Sequence, residues 1–164
     1  HYLPSASSYE CSTDNPVFAV KSGSSVSAPA ADDAEKGVEV EVEVSFEPDL
    51  IGESTAKLAV KSDDGGEYVC ILNGYGQPPT PQGPFEVSGT LKLDFKNPFS
   101  TPKSFTVAVD NESFTVGSRL DDVAPRSSIP LNVAYRSGGG GGSKAKLTVV
   151  CESFPPWIYY LTGV

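Results

Sequence analysis

The sequence predicts an all-β protein that contains two copies of one small β-sandwich module. The first observation is a repeat, since residues 44–74 align without a gap with residues 133–163, and such self-similarity indicates a recurring structural unit. The second is the strict alternation of apolar and polar residues at 38–46, which is typical of a strand with one solvated face. The third is a content of 16 Gly and 14 Pro, which favours turns over helices.

Composition and charge limit the classes of function. With 38% hydrophobic and 10% aromatic residues, the chain is predicted to be globular rather than disordered. Its net charge of -9 repels polyanions, so neither nucleic acid nor an anionic membrane surface is an expected partner, and a polar partner is expected to be basic. Because the chain begins at His1 and contains no Met, we expect it to be a segment of a longer polypeptide.

The first unit, residues 1–76, is predicted from short alternating runs between turn signals. A polar lead-in precedes the first strand, and Asp14-Asn15-Pro16 forms the first turn. Residues 21–36 are predicted to be a loop because they are mostly small and polar. The last three strands are expected to form an antiparallel meander. The predicted strands are residues 9–13, 17–20, 38–46, 56–60 and 68–72.

A proline-rich linker at residues 77–84 is predicted to separate the two units. Four of the nine residues at 76–84 are proline, which favours an extended conformation and opposes both helix and sheet ladder. The second unit, residues 85–164, is predicted to contain about seven strands. These are residues 85–87, 91–95, 105–109, 114–116, 129–135, 145–150 and 157–161.

Seven short strands separated by turns are typical of an immunoglobulin-like β-sandwich. The first unit matches only the last five of them, so its two opening strands are missing from the predicted set. Either residues upstream of the chain or a neighbouring chain would supply them by strand addition. Without them, an apolar edge would stay unpaired.

Candidate catalytic and metal sites are few. His1 is the only histidine, so general acid–base catalysis by imidazole and a Ser/His or Cys/His nucleophile pair are not expected. The acidic pairs lie in predicted turns and lack the spacing of a calcium site. No catalytic residue, metal or cofactor is therefore predicted. The pairs are Asp32-Asp33, Asp63-Asp64 and Asp121-Asp122.

Other conspicuous residues have structural interpretations. Cys11, Cys70 and Cys151 fit neither a disulfide framework nor a metal site, and they are expected to be buried free thiols in a reducing compartment. Trp157 aligns with Tyr68 and is expected to be a core aromatic residue of the closing strand. The glycine run at 138–142 leads into a strand rather than a helix, so it is interpreted as a low-complexity or engineered expansion of a turn and not as a phosphate loop.

Glu39, Glu41 and Glu43 form an acidic row on the polar face of the predicted strand at 38–46. Such a row is commonly only the solvated side of a sheet, and the alternative is a surface that binds a basic partner. These three glutamates are the candidate partner-binding face.

The order and spacing of the strand and turn motifs resemble those of a known family. The motifs are F-x-P at 46–48, Gly52 in the following turn, A-x-L-x-V at 56–60 and Y-x-C-x-L-x-G-x-G at 68–76. Together they resemble the Hydin-type (ASH) repeats, which are similar to the major sperm protein fold. Residues 78–85, together with residues 93–99 and 109–111, resemble one ciliary protein of this kind more closely. The second unit departs from the pattern at Ser137 and in the glycine run.

The resemblance implies a non-enzymatic, architectural segment of a motile-cilium protein, located in the axoneme and specifically its central apparatus. It implies binding to other axonemal proteins and to adjacent repeats of the same longer chain, and it leaves direct microtubule contact open. It carries over no catalytic residue and no cofactor. A secreted adhesin or carbohydrate-binding β-sandwich is the alternative, and a disulfide between Cys70 and Cys151 would favour it.

Overall fold

The computed structural model describes residues 1–138 and 142–164 of the chain, and every regular element in those residues is a β-strand. The fold is therefore all-β, as the alternating pattern predicted. The chain divides into two compact units, His1–Gly76 and Gln77–Val164. Within each unit the strands form two sheets, which is consistent with an immunoglobulin-like β-sandwich. The finer interpretation as two tandem domains stays a prediction.

The first unit contains six strands in two sheets. One sheet has the order β3-β1-β5-β6, and β2 pairs with β4 in the other. All of these pairings are antiparallel. The strands are β1 (Ser7–Thr13), β2 (Phe18–Val20), β3 (Ser25–Ala28), β4 (Val44–Phe46), β5 (Gly52–Ser62) and β6 (Gly66–Gly76).

The second unit contains seven named strands. One sheet has the order β7-β13-β12-β9, and the other has the order β10-β11-β8. β7 runs parallel to β13, whereas the other pairings are antiparallel. The strands are β7 (Gln82–Val87), β8 (Thr90–Lys96), β9 (Thr106–Val109), β10 (Phe114–Val116), β11 (Ser128–Tyr135), β12 (Lys144–Val150) and β13 (Trp157–Gly163).

The predicted three-strand meander is wrong. β5 and β6 do form a long hairpin, but β4 pairs with β2 in the other sheet. The chain crosses between the sheets after Phe46, in a segment that contains Pro48, which cannot donate a ladder hydrogen bond. The second unit repeats this crossing, since β11 pairs with β8 and β10 while β12 pairs with β13 and β9.

The predicted strand at 38–46 is shorter than expected, because only β4 (Val44–Phe46) is paired. The alternation itself persists, since Val38, Val40 and Val42 are half-buried and the glutamates between them are exposed. Residues 38–43 are not a regular strand because β2 ends at Val20 and no strand of the described residues lies along their other side.

Two further boundaries differ from the sequence predictions. β3 (Ser25–Ala28) lies within the predicted loop at 21–36, and it forms a ladder with β1 around the buried Ala28. β7 begins at Gln82, inside the predicted linker at 77–84. A ladder is compatible with Pro84 because β7 is an edge strand of its sheet, and proline is tolerated there.

The two units repeat the same internal hydrogen bonds. The Lys57 N–H donates to Asp14 Oδ1 at 2.7 Å, and the Lys146 N–H donates to Asp110 Oδ1 at 2.7 Å. The strand registers agree as well, since Thr13 pairs with Leu58 and Val109 pairs with Leu147. Residues up to Val20 therefore correspond to residues 96 positions later, and residues from Val38 onward correspond to residues 89 positions later.

The cores of the two units differ in closure. In the second unit Leu131 and Val149 are both 0% exposed. Their counterparts in the first unit, Val42 and Val60, are only half-buried. The same positions are thus enclosed in one unit and partly open in the other.

Candidate functional site

Strand β6 exposes large apolar side chains on both of its faces. Four of them are between 43% and 63% exposed: Tyr68, Val69, Ile71 and Tyr75. In the second unit, Tyr160 and Val164, the counterparts of Ile71 and Tyr75, are exposed as well, at 45% and 62%. The units differ at Cys70, which is exposed, whereas its counterpart Tyr159 is only 4% exposed. There β13 is flanked by β7 and β12, whereas β6 has a neighbour on one edge only among the described strands.

An open cavity of about 550 Å³ lies inside the first unit. Its lining includes the aromatic rings of Tyr9 and Tyr68, whose centroids are 6.1 Å apart. Val40 and Val42, from the unpaired segment before β4, line it as well. Because most of these groups are apolar, the cavity is suited to apolar side chains rather than to a polar substrate.

Two polar side chains at this cavity, those of His1 and Tyr9, are hydrogen-bonded to each other. The His1 imidazole is hydrogen-bonded through Nδ1 to the Tyr9 hydroxyl at 2.7 Å and through Nε2 to the Ser5 carbonyl at 2.8 Å. Burial raises the pKa of the Tyr9 phenol, and repulsion and a hydrogen bond from Tyr68 raise it further. Both ring nitrogens are thus engaged locally, and the phenol stays neutral over a wider pH range.

The acidic row is exposed, as predicted. Glu39, Glu41 and Glu43 face solvent between half-buried valines, and none of them forms an ion pair with the described residues. Its role in binding a partner stays a prediction. The turn carboxylates at 32–33, 63–64 and 121–122 are exposed as well. Within residues 1–138 and 142–164, no three His, Cys, Asp or Glu side chains are grouped so that they could hold a metal ion.

The cysteines differ in burial, so the prediction of three buried thiols is wrong for Cys70. Cys11 and Cys151 are buried and Cys70 is exposed, and all three are free. Cys70 corresponds to Tyr159, whose ring lies 6.4 Å from that of Phe85 in β7, and no described strand takes the place of β7 over Cys70. The disulfide that would favour an extracellular adhesin is therefore not formed.

The buried thiols are held neutral by their surroundings. Burial raises the pKa of Cys11. Burial also raises the pKa of Cys151, with a further increase from Glu152 and a partial offset by Lys103. Low thiolate content makes these groups poor nucleophiles at neutral pH.

Trp157 is a core aromatic residue of the closing strand, as predicted. Its ring contacts those of Phe95 and Phe105 edge-on, with centroid distances of 5.3 and 5.8 Å. Residues 139–141 of the glycine run lie outside the described residues, so the interpretation of that run stays a prediction. Within the part of the chain that the structure describes, no helix is long and apolar enough to span a bilayer.

The chain is similar to known proteins over its whole length. It is 35% identical to the Hydrocephalus-inducing protein homolog of Homo sapiens and 36% identical to the Hydrocephalus-inducing protein of Mus musculus, over 176 aligned residues. It spans about 3% of the length of these curated relatives. No family model matches the chain.

These relatives bear on the resemblance stated from the sequence motifs. The closer likeness that residues 78–85, 93–99 and 109–111 suggest is to cilia- and flagella-associated protein 47, and the comparisons do not show it. The two relatives support the Hydin-type part of the resemblance, because each of them aligns with the whole chain. The chain is therefore similar to a Hydin-type repeat segment.

Proposed function

We propose that this chain is a non-enzymatic structural segment of a ciliary axonemal protein. The observation that carries the proposal is the 35% identity to the Hydrocephalus-inducing protein homolog across the entire chain. The chemistry of the described residues supports it. Among residues 1–138 and 142–164, the side chains whose pKa departs from its ordinary value are two thiols and two phenols kept neutral by burial, which is typical of a packed core rather than a reactive centre.

We place the segment in the central apparatus, with other axonemal proteins and adjacent repeats of the same longer chain as its partners. The net charge of -9 supports partners that present basic surfaces. Glu39, Glu41 and Glu43 are the surface proposed for this contact. Alternate residues of an extended segment are about 7 Å apart, so the three carboxylates offer a short, regular row to lysine or arginine side chains.

The location is tested by tagging the full-length protein of a ciliated cell and mapping the tag by immunogold electron microscopy of axonemes. The expected label lies at the central apparatus. Label on the outer doublets alone would contradict the location in the central apparatus and would support the location in the axoneme. Absence of label from the cilium would overturn the proposal.

The partner-binding face is tested in the same full-length protein with Glu41→Gln and Glu43→Gln combined. After cross-linking in axonemes, recovery of the basic partner is expected to fall by about tenfold, because a pair of charged contacts contributes on the order of 1.4 kcal/mol. The matched control combines Asp63→Asn and Asp64→Asn, which removes the same charge from the exposed β5–β6 turn. Equal losses in both variants would indicate a nonspecific charge effect and would contradict the assigned face.

A further inference from the structure

The second unit shows which strands close a sandwich of this kind. Its two opening strands go to different sheets, with β7 parallel on the outer edge of β13 and β8 antiparallel on β11. Val87 of β7 and Phe95 of β8 are 0% and 1% exposed, so both strands contribute to the core. In the first unit, no strand of the described residues occupies either place.

The start of the chain lies in register with the position that β8 occupies in the second unit. The Asn97 N–H, directly after β8, donates to the Ser127 carbonyl at 2.9 Å. At the corresponding position of the first unit, the His1 amino group donates to the Val38 carbonyl at 3.2 Å, since Asn97 follows His1 by 96 positions and Ser127 follows Val38 by 89. A residue preceding His1 would therefore begin a β8-like ladder along residues 39–45.

The open cavity matches the space that β8 fills in the second unit. There, the Phe95 ring contacts Phe105 and Trp157 edge-on, with centroid distances of 4.8 and 5.3 Å. The counterparts of Phe105 and Trp157 are Tyr9 and Tyr68, and both line the open cavity. An apolar side chain in the place of Phe95 would thus contact both tyrosines.

We propose that the residues immediately preceding His1 in the longer polypeptide form two strands that close the first unit. The nearer strand pairs antiparallel with residues 39–45, and the farther one pairs parallel with β6 and covers Cys70. The same chain is the occupant because His1 already holds the register of the ladder. The matched segment is only about 3% of the relatives, so polypeptide extends beyond it there. This inference rests on the geometry of the first unit and not on the proposed function.

The proposal specifies a sequence pattern. In the second unit the inward-facing residues of β8, Phe95, Leu93 and Leu91, precede Asn97 by two, four and six positions, and Val87 and Phe85 of β7 precede it by ten and twelve. We therefore expect apolar residues at these five distances before His1, with polar residues at one, three and five. Charged residues at two and four would contradict the inference, because they would be buried between Tyr9 and Tyr68 without partners.

Cys70 provides a direct readout of closure. The chain is compared with the same chain extended by its own 15 preceding residues, the distance from Gln82 to Asn97. Labelling of Cys70 by a neutral thiol reagent is expected to slow by about tenfold or more in the extended form, because labelling then requires local opening. Hydrogen exchange of the amides at 39–45 is expected to slow in parallel. Unchanged labelling and exchange on extension would overturn the proposal.

Two controls distinguish the possible sources of the strands. Replacing the apolar residues ten and twelve positions before His1 by Asp in the extended chain is expected to restore fast labelling of Cys70 while the second unit stays folded. The unextended chain is expected to label rapidly at all protein concentrations. Protection of Cys70 that grows with the concentration of the unextended chain would identify a second copy as the occupant and would overturn the assignment to the preceding residues.

Discussion

The two units share one framework and differ in what covers it. Five strands are common to both units: β1, β2, β4, β5 and β6 in the first unit and β9 to β13 in the second. In both units the turn after the first of these strands is held by the same Asp and Asn hydrogen bonds, and the strands pair in the same register. Yet Val149 is 0% exposed and its counterpart Val60 is half-buried. The register of the strands is therefore set by contacts among the five shared strands, whereas the burial of the core side chains depends on the two opening strands.

The shared framework is local in origin. Asn15 and Asn111 each use the side-chain amide to reach a carbonyl of the neighbouring strand, at 3.1 and 3.0 Å, and each accepts a bond from a backbone N–H two residues later. Asparagine is suited to this role because its side chain mimics a turn of the backbone. Such bonds do not require a closed core, so they persist in the more open unit.

The largest expected contrast is between Leu147→Ala and Leu58→Ala, at equivalent positions. Leu147 is 0% exposed, and its truncation is expected to cost about 3–5 kcal/mol, whereas Leu58 lines the open cavity and its truncation is expected to cost about 2 kcal/mol. Urea unfolding of each variant, followed through Trp157 fluorescence for the second unit and hydrogen exchange for the first, measures both. Equal costs would mean that the first unit is as closed as the second.

The next contrast concerns Asn97 and its counterpart His1. Asn97 is 0% exposed, its side-chain amide donates to the carbonyls of Thr101, Val123 and Ala124, and its Oδ1 accepts from Phe99 N–H. Asn97→Ala would leave several buried groups unpaired and is expected to cost about 2–3 kcal/mol.

His1→Ala is the matched change in the first unit. It removes the part-buried hydrogen bond to Tyr9 and the exposed one to the Ser5 carbonyl, so it is expected to cost about 1 kcal/mol. Thermal melts of the two variants, each compared with the parent chain, check the order. A larger loss for His1→Ala would show that the start of the chain contributes more to the first unit than its open geometry indicates.

The strands were largely predictable from the sequence because alternation is a local property. Val38–Val42 is the exception. The alternation there correctly predicts which side chains are exposed, but a strand also needs a partner strand for its hydrogen bonds, and the local sequence does not show whether one is present. The predicted meander is wrong for a related reason. The residues around Pro48 indicate a turn, but they do not indicate whether the next strand joins the same sheet or the opposite one.

The open face was predictable only in part. The repeat alignment identified the missing opening strands, and with them an apolar edge. Residue type alone predicts a buried thiol at Cys70, because free cysteines are commonly buried, and its alignment with the buried Tyr159 points the same way. The signal for its exposure is the pair of missing opening strands, which leaves the outer edge of the strand that contains Cys70 uncovered.

A smaller effect is expected from alkaline pH, and it should act on both units. Burial raises the pKa of Cys11 and Cys151 above 9.0 and the pKa of Tyr9 and Tyr159 above 10.0. These groups lose protons more readily when unfolded, so the stability they provide is present below those ordinary values and declines as the pH rises through the folded-state pKa. Melting temperatures from pH 7 to 11 measure the decline.

The matched variant for this pH dependence is Cys151→Ala, which should reduce the slope for the second unit and leave that of the first unchanged. If the slope of the second unit stays the same, the buried thiol is not the titrating group, and Tyr159 is left as its source. A stability that increases above pH 9 would contradict the direction of the shifts.

The smallest effect is expected for the acidic row, and it tests the division of faces in the first unit. Glu41→Gln removes an exposed carboxylate, whereas Val42→Ala truncates the adjacent half-buried apolar side chain, and both residues border the open cavity. Because the chain carries a net charge of -9, removing one negative charge should stabilise it slightly at low salt, by less than about 0.5 kcal/mol, and the effect should vanish at 1 M salt. Val42→Ala should instead destabilise the unit by about 1 kcal/mol at any salt concentration. Paired thermal melts at low and high salt separate the two, and a salt-independent loss for Glu41→Gln would place its side chain, and not that of Val42, on the inner face.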